Sequence, residues 1–77
     1  MSKIELLKKF QEEDIPEWIY CLDVVEYNDN FALQQKDNSW EVYFGERGQK
    51  HEQKTFDSEE EACNYLYDRV KKEMEYM

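Results

Sequence analysis

The side chains that could carry out nucleophilic or metal chemistry are few in this 77-residue chain. It has one histidine, His51, and two cysteines, Cys21 and Cys63. A thiol nucleophile needs a histidine within hydrogen-bonding reach. However, Cys21 lies in an apolar run and Cys63 beside an alanine on a predicted helix, positions typical of buried thiols. A zinc site would need closely spaced ligand pairs, which the chain lacks. The sequence therefore predicts no enzyme, no metal site and no cofactor.

Carboxylates are the most abundant candidate groups. Nineteen Asp and Glu residues stand against ten Lys and Arg residues, which gives a formal net charge of −9. So many acids form close pairs by chance, and a pair alone does not indicate acid–base catalysis. Too few bases are available to contact phosphates, which argues against direct nucleic-acid binding. The charge suits a partner with a basic surface, although solubility alone also accounts for it.

Length and composition predict one domain that spans residues 1–77. Residues 1–10 interleave apolar residues with four charged ones and so lack the apolar stretch of a signal peptide. No run of residues is long enough to cross a membrane. We therefore expect a cytoplasmic protein without membrane contacts, whose two cysteines are free thiols.

The candidate residues must be positioned by the elements around them, and the first of these is an N-terminal helix. Ser2 and Glu5 have the spacing of a capping box. The predicted buried stripe recurs at helical spacing: Ile4, Leu7 and Phe10, with Leu6 beside them. The helix should end near residues 13–14, because Ile15 precedes a proline. Three acids at its end are either an ordinary solvated terminus or a patch for a partner: Glu12, Glu13 and Asp14.

The middle of the chain predicts a sheet. Residues 18–25 are rich in aromatic and β-branched side chains on both parities, so they predict a strand without indicating its buried face. Residues 28–30 predict a turn. Residues 31–36 and 40–45 predict two further strands, and residues 54–56 a short fourth. The expected inward side chains alternate: Phe31 and Leu33, then Trp40, Val42 and Phe44.

The C-terminal part predicts a second helix that runs to about Tyr76. Either Asp57 or Ser58 can cap it. Its apolar stripe recurs every four residues: Ala62, Leu66, Val70 and Met74. Because the links between strands are short, we predict an α+β fold: an antiparallel three- to four-stranded meander with the N- and C-terminal helices packed on one face.

Glu41 and Tyr43 have the parity opposite to the inward residues of their strand, so we predict that they point away from both helices. Tyrosine among carboxylates is typical of a protein-recognition surface, although a tyrosine that only stiffens the sheet is equally consistent. Arg47 follows Glu46 at the next turn. It could pair with a nearby acid, the reading we favour slightly, or anchor a carboxylate of a partner.

Two segments carry a resemblance to a known group of proteins. The run Trp-Glu-Val-Tyr-Phe-Gly-Glu-Arg-Gly at residues 40–48, with Phe-Asp-Ser-Glu-Glu-Glu-Ala-Cys-Asn-Tyr-Leu at residues 56–66, resembles small bacterial immunity proteins of polymorphic and contact-dependent growth inhibition toxin systems. The resemblance implies a protein without catalytic residues that binds one cognate toxin, often a basic nuclease. Such a protein blocks the active site of the toxin or its access to substrate.

The predicted function is therefore inhibition of a toxin by surface occlusion, steered by acidic charge. The predicted contact residues are exposed acids and their neighbours: Glu41, Tyr43, Glu46 and Arg47, with Glu12, Glu13 and Asp14. One alternative is a phage-type nucleic-acid mimic that inhibits a DNA- or RNA-binding enzyme. Its acids would form rows spaced like phosphates, and the interspersed lysines argue mildly against it. An accessory subunit held by its tyrosine face is a third possibility.

Overall fold

The computed structural model describes residues 1–22 and 28–75. Within these residues, one helix lies near each end of the chain and four strands lie between the two helices. In chain order the elements are helix α1 (Lys3–Glu12), a 3-10 turn (Glu17–Ile19), strand β1 (Tyr20–Leu22), strand β2 (Asn28–Lys36), strand β3 (Ser39–Glu46), strand β4 (Gln49–Phe56) and helix α2 (Glu59–Glu75). Residues 23–25 of the predicted first strand, and the predicted end of the last helix at Tyr76, lie outside the described residues.

The strands form one sheet in the order β1-β2-β3-β4, which confirms the predicted α+β class. Strands β2, β3 and β4 make the expected antiparallel meander, with Leu33 opposite Val42 and Val42 opposite Lys54. Strand β1 differs from the prediction because it pairs with β2 in parallel, with Tyr20 opposite Phe31. This short strand is fixed by tertiary packing, since the Tyr20 ring lies 4.5 Å from the ring of Phe10 on α1.

The expected turn at residues 28–30 is wrong, because these residues belong to β2. The pairing with β3 shifts register between Asn28 and Asn30, and Asp29 has a φ of 61°. Asn and Asp tolerate this left-handed conformation better than other non-glycine residues. The composition that suggested a turn therefore produces a bulge within a strand.

Helix α1 buries a different face from the predicted one. Ser2 caps it as expected, accepting a hydrogen bond from the backbone N–H of Glu5 at 3.2 Å. Leu6 and Phe10 are fully buried, whereas Ile4 is 72% exposed and Leu7 is also at the surface. Two overlapping apolar stripes exist on this helix, and the pair at positions i and i+4 is the one that meets the sheet and α2.

Helix α2 packs as predicted. Ala62, Leu66 and Val70 are fully buried, and Met74 packs partly buried against the same core. Ser58 rather than Asp57 caps the helix, since its hydroxyl accepts a hydrogen bond from the backbone N–H of Glu61 at 3.1 Å. On the sheet, the residues predicted to point inward form the other half of this core: Phe31, Leu33 and Val42 buried, with Trp40 and Phe44 partly buried.

Candidate partner-binding surface

Glu41 and Tyr43 lie on the predicted face of the sheet but are not exposed. Glu41 is 4% and Tyr43 is 1% exposed, so the expectation of an accessible Glu41–Tyr43 surface is wrong. A long side chain from the neighbouring strand contacts both residues. The Lys50 ammonium lies 4.7 Å from the centroid of the Tyr43 ring and 2.7 Å from Oε1 of Glu41. The alternation of side chains along the strand predicts the face on which both residues lie, but it does not predict which side chains cover them.

Glu41 is the centre of a buried ion cluster. Its Oε1 accepts from Lys50, and its Oε2 lies 3.3 Å from the Lys36 ammonium and accepts from the side-chain amide of Gln53. Burial raises the pKa of Glu41, but the hydrogen bonds from Lys50, Gln53 and Lys36 outweigh it and hold this pKa below its ordinary value. The hydrogen bond to Glu41 in turn raises the pKa of Lys50. Both groups stay charged at neutral pH, so they form an ion pair between neighbouring strands and cannot exchange protons as an acid–base pair there.

The three acids at the end of α1 are exposed, as the partner-patch hypothesis requires. Glu13 is engaged within the chain, because its carboxylate accepts hydrogen bonds from Lys71 and from the Tyr67 hydroxyl of α2. These bonds lower the pKa of Glu13 and raise the pKa values of Tyr67 and Lys71. Glu12 and Asp14 are the members of this patch that remain open to a partner within residues 1–22 and 28–75.

Glu46 and Arg47 lie at the hairpin between β3 and β4. Arg47 and Gly48 have φ values of 50° and 78°, as a two-residue hairpin turn with positive φ at both positions requires. Arg47 is exposed, and no described carboxylate lies within ion-pair distance of it. The pairing that we favoured for it is therefore wrong. Glu41 is taken by lysines, and Glu52 pairs with Arg69 at 2.5 Å.

The structure adds a feature that the sequence did not indicate, an aromatic cleft beside Trp18. The cleft has a volume of about 210 Å³ and is lined by residues from the 3-10 turn, β2, β3 and α2: Trp18, Ile19, Asp29, Phe31, Phe44 and Glu73. Trp18 is 61% exposed at its edge. We predicted this residue within a strand, and no periodicity links it to Asp29 or Glu73. The one sequence feature that could have indicated the cleft is a tryptophan soon after the proline that follows the first helix.

Cys63 is a poor nucleophile, and this gives a direct prediction. Its thiol is fully buried, and burial raises its pKa to about 11. At pH 8 the thiolate fraction is then about a hundredfold or more below that of an ordinary cysteine. We expect iodoacetamide to modify Cys63 at least about a hundred times more slowly in the native protein than in urea, as followed by peptide mass spectrometry. Equal rates would contradict the burial of this side chain.

Within residues 1–22 and 28–75, no three His, Cys, Asp or Glu side chains come together as ligands for a metal ion. Neither described helix combines the length and the apolar character needed to cross a membrane. Cys63 carries a free thiol.

Comparison with known proteins identifies no relative of this chain. No family model, no curated protein and no solved structure matches it. The likeness to immunity proteins therefore rests on residues 40–48 and 56–66 alone.

Proposed function

We propose that this chain is an immunity protein that binds a cognate bacterial toxin in the cytoplasm and neutralises it by covering its active site or its substrate surface. The toxin would have a basic surface, as a nuclease has. The observation that carries the proposal is the net charge of −9 on a 77-residue chain. Such a charge accelerates encounter with a basic protein and favours it over acidic ones.

The distribution of the bases supports this assignment. Several of the ten basic residues pair with acids among the described residues: Lys36 and Lys50 with Glu41, Arg69 with Glu52, and Lys71 with Glu13. Each of these bases lies beside an acid of the same molecule, so the remaining carboxylates set the negative charge that a partner would meet. Exposed carboxylates therefore dominate the surface field.

The proposed contact surface excludes the buried Glu41 and Tyr43 and keeps the accessible members of the predicted set. Glu12 and Asp14 lie at the end of α1, and Glu46 and Arg47 at the β3–β4 hairpin. Helix α2 contacts the end of α1 and also contributes to the Trp18 cleft. Its Lys71 pairs with Glu13, and its Glu73 lines the cleft. The buried Glu41 and Tyr43 would support the fold of the sheet and would not contact the toxin.

The experiment that tests the proposal combines capture with rescue. Tagged protein is incubated with lysate of the native host, washed across a salt gradient, and its partners are identified by mass spectrometry. We expect one partner that is retained at high salt, arrests growth when expressed alone, and is tolerated when this chain is co-expressed. Many nucleic-acid-binding proteins that are lost together as salt rises would instead favour the nucleic-acid mimic, because counterion-dependent binding is steeply salt-sensitive.

Charge reversal at the end of α1 gives a sharper prediction. Replacing Glu12 by Lys should weaken toxin binding about tenfold at low salt, mainly through a slower association rate, and the loss should shrink as salt is added. The matched control is Glu61→Lys, which changes the net charge equally. Glu61 lies near the start of α2. The start of α1 lies beside it, because Lys3 donates its backbone N–H to Glu59. Equal effects of both variants in surface plasmon resonance would contradict the assigned contact.

A further inference from the structure

We propose that the Trp18 cleft is a receptor for a guanidinium group, namely the side chain of an arginine on the surface of the partner. The identity of that partner rests on the proposed function, whereas the affinity of the cleft for guanidinium does not. The cleft of about 210 Å³ is smaller than the roughly 300 Å³ at which small-molecule sites begin. It therefore suits one side chain better than a whole cofactor.

The walls of the cleft are aromatic. Phe31 and Phe44 from neighbouring strands meet edge to face, with ring centroids 4.9 Å apart, and Ile19 lies buried next to them. Trp18 also lines the cleft and is exposed. A planar cation binds over such rings through their negative faces, and tryptophan is the strongest of them.

Two carboxylates complete the cleft. Asp29 enters it from the β2 bulge and Glu73 from the last turns of α2. Both are exposed, and neither has a cationic partner among residues 1–22 and 28–75. Aromatic walls with free carboxylates match arginine, because guanidinium stacks on rings and donates in a planar fork to carboxylates. The ammonium of lysine is a compact, strongly hydrated charge and fits this combination less well.

The neighbouring packing shows that one of these rings, Phe31, already accepts a guanidinium. The Arg69 guanidinium carbon lies 5.5 Å from the centroid of the Phe31 ring, and Arg69 pairs with Glu52 at 2.5 Å. The charge of Arg69 is thus compensated within the molecule and does not oppose a second cation at the cleft. A larger depression of about 450 Å³ near the N-terminus offers no such wall, and its Glu60 already faces the Met1 amino group at 3.9 Å.

The cleft can be tested without the partner. The variant Trp40→Phe leaves Trp18 as the sole tryptophan, so its fluorescence reports on the cleft. The probes are N-acetyl-arginine amide, its neutral isostere N-acetyl-citrulline amide and N-acetyl-lysine amide, at constant ionic strength. We expect a saturable change with the arginine probe and at least about tenfold weaker binding of the other two. A linear response to all three probes, or equal binding of lysine and arginine, would overturn the proposal.

Variants assign the two carboxylates. Asp29→Asn keeps a residue that tolerates the positive φ of the bulge. This variant and Glu73→Gln should each weaken the arginine probe severalfold, and together by about tenfold or more. The matched control is Glu75→Gln, which removes the same charge from the same end of α2 without lining the cleft. An equal loss of affinity in the control would show that net charge alone accounts for the effect, and it would overturn the site.

The partner separates this inference from the proposed function. If the toxin is found, Trp18→Ala should weaken its binding at least tenfold, because a buried aromatic–arginine contact is a typical hot spot. If the protein neutralises a toxin but its cleft does not bind the arginine probe, the guanidinium site is overturned and the immunity function is retained. Binding of the probe by a protein that neutralises nothing would support the cleft and overturn the immunity function.

Discussion

Replacing Phe10 by alanine is expected to remove about 3–5 kcal/mol from the free energy of unfolding. The side chain is fully buried, and its ring lies 4.5 Å from the ring of Tyr20 and 6.1 Å from that of Tyr67. It therefore joins α1 to the sheet and to α2. Domains are stable by only about 5–15 kcal/mol, and one of this size lies at the low end. Urea unfolding followed by circular dichroism should show a large drop in the midpoint.

The matched control lies six residues earlier on the same helix. Ile4 is 72% exposed, so Ile4→Ala should change the unfolding free energy by less than about 0.5 kcal/mol. A similar cost for both variants would mean that α1 packs through the face suggested by its sequence rather than through the face of Leu6 and Phe10. The two substitutions thus decide between two stripes on one helix.

Local signals predicted much of the fold. The capping serines, the four-residue stripe of α2 and the alternation of β2 and β3 all act within one element, and each is confirmed. The face of α1 was not predictable in this way, because it carries four large apolar residues in seven. Contacts distant in sequence choose between its faces: Lys3 with Glu59, and Glu13 with Lys71.

The surface was harder to predict than the core. Alternation along the strand placed Glu41 and Tyr43 on the correct face, but it did not predict the contacts that both make with Lys50 of the next strand. The Trp18 cleft needs a 3-10 turn, a bulge, a strand and a helix to converge. The periodicity of a single helix or strand cannot predict that four elements meet at one place. The toxin-binding function stays a prediction, and its proposed contacts now lie at the exposed ends of the elements.

Replacing Glu41 by glutamine tests whether the buried charge stabilises the sheet. Gln keeps the shape of the side chain and removes its charge, so the hydrogen bonds from Lys50 and Lys36 lose their ionic acceptor. Hydrogen bonds to charged groups contribute about 1.5–3 kcal/mol. Both lysines retain access to water, with side-chain exposures of 25% for Lys50 and 48% for Lys36. Because water can hydrate both lysines when the charged acceptor is removed, we expect the free energy of unfolding to fall by about 2 kcal/mol. This is less than the roughly 3–5 kcal/mol lost when a fully buried pair is broken.

The pH dependence distinguishes this charge effect from packing. The pKa of Glu41 is lowered in the folded state from its ordinary value of 4.5. Its contribution is therefore fully present above about pH 4.5 and is lost as the pH falls through the lowered folded-state pKa. Unfolding free energies of wild type and Glu41→Gln should differ at pH 7 and converge toward pH 3. The exposed Glu12→Gln, which removes the same charge, should follow wild type within about 0.5 kcal/mol. A difference between wild type and Glu41→Gln that persists unchanged at pH 3 would assign the stabilisation to packing of the side chain instead.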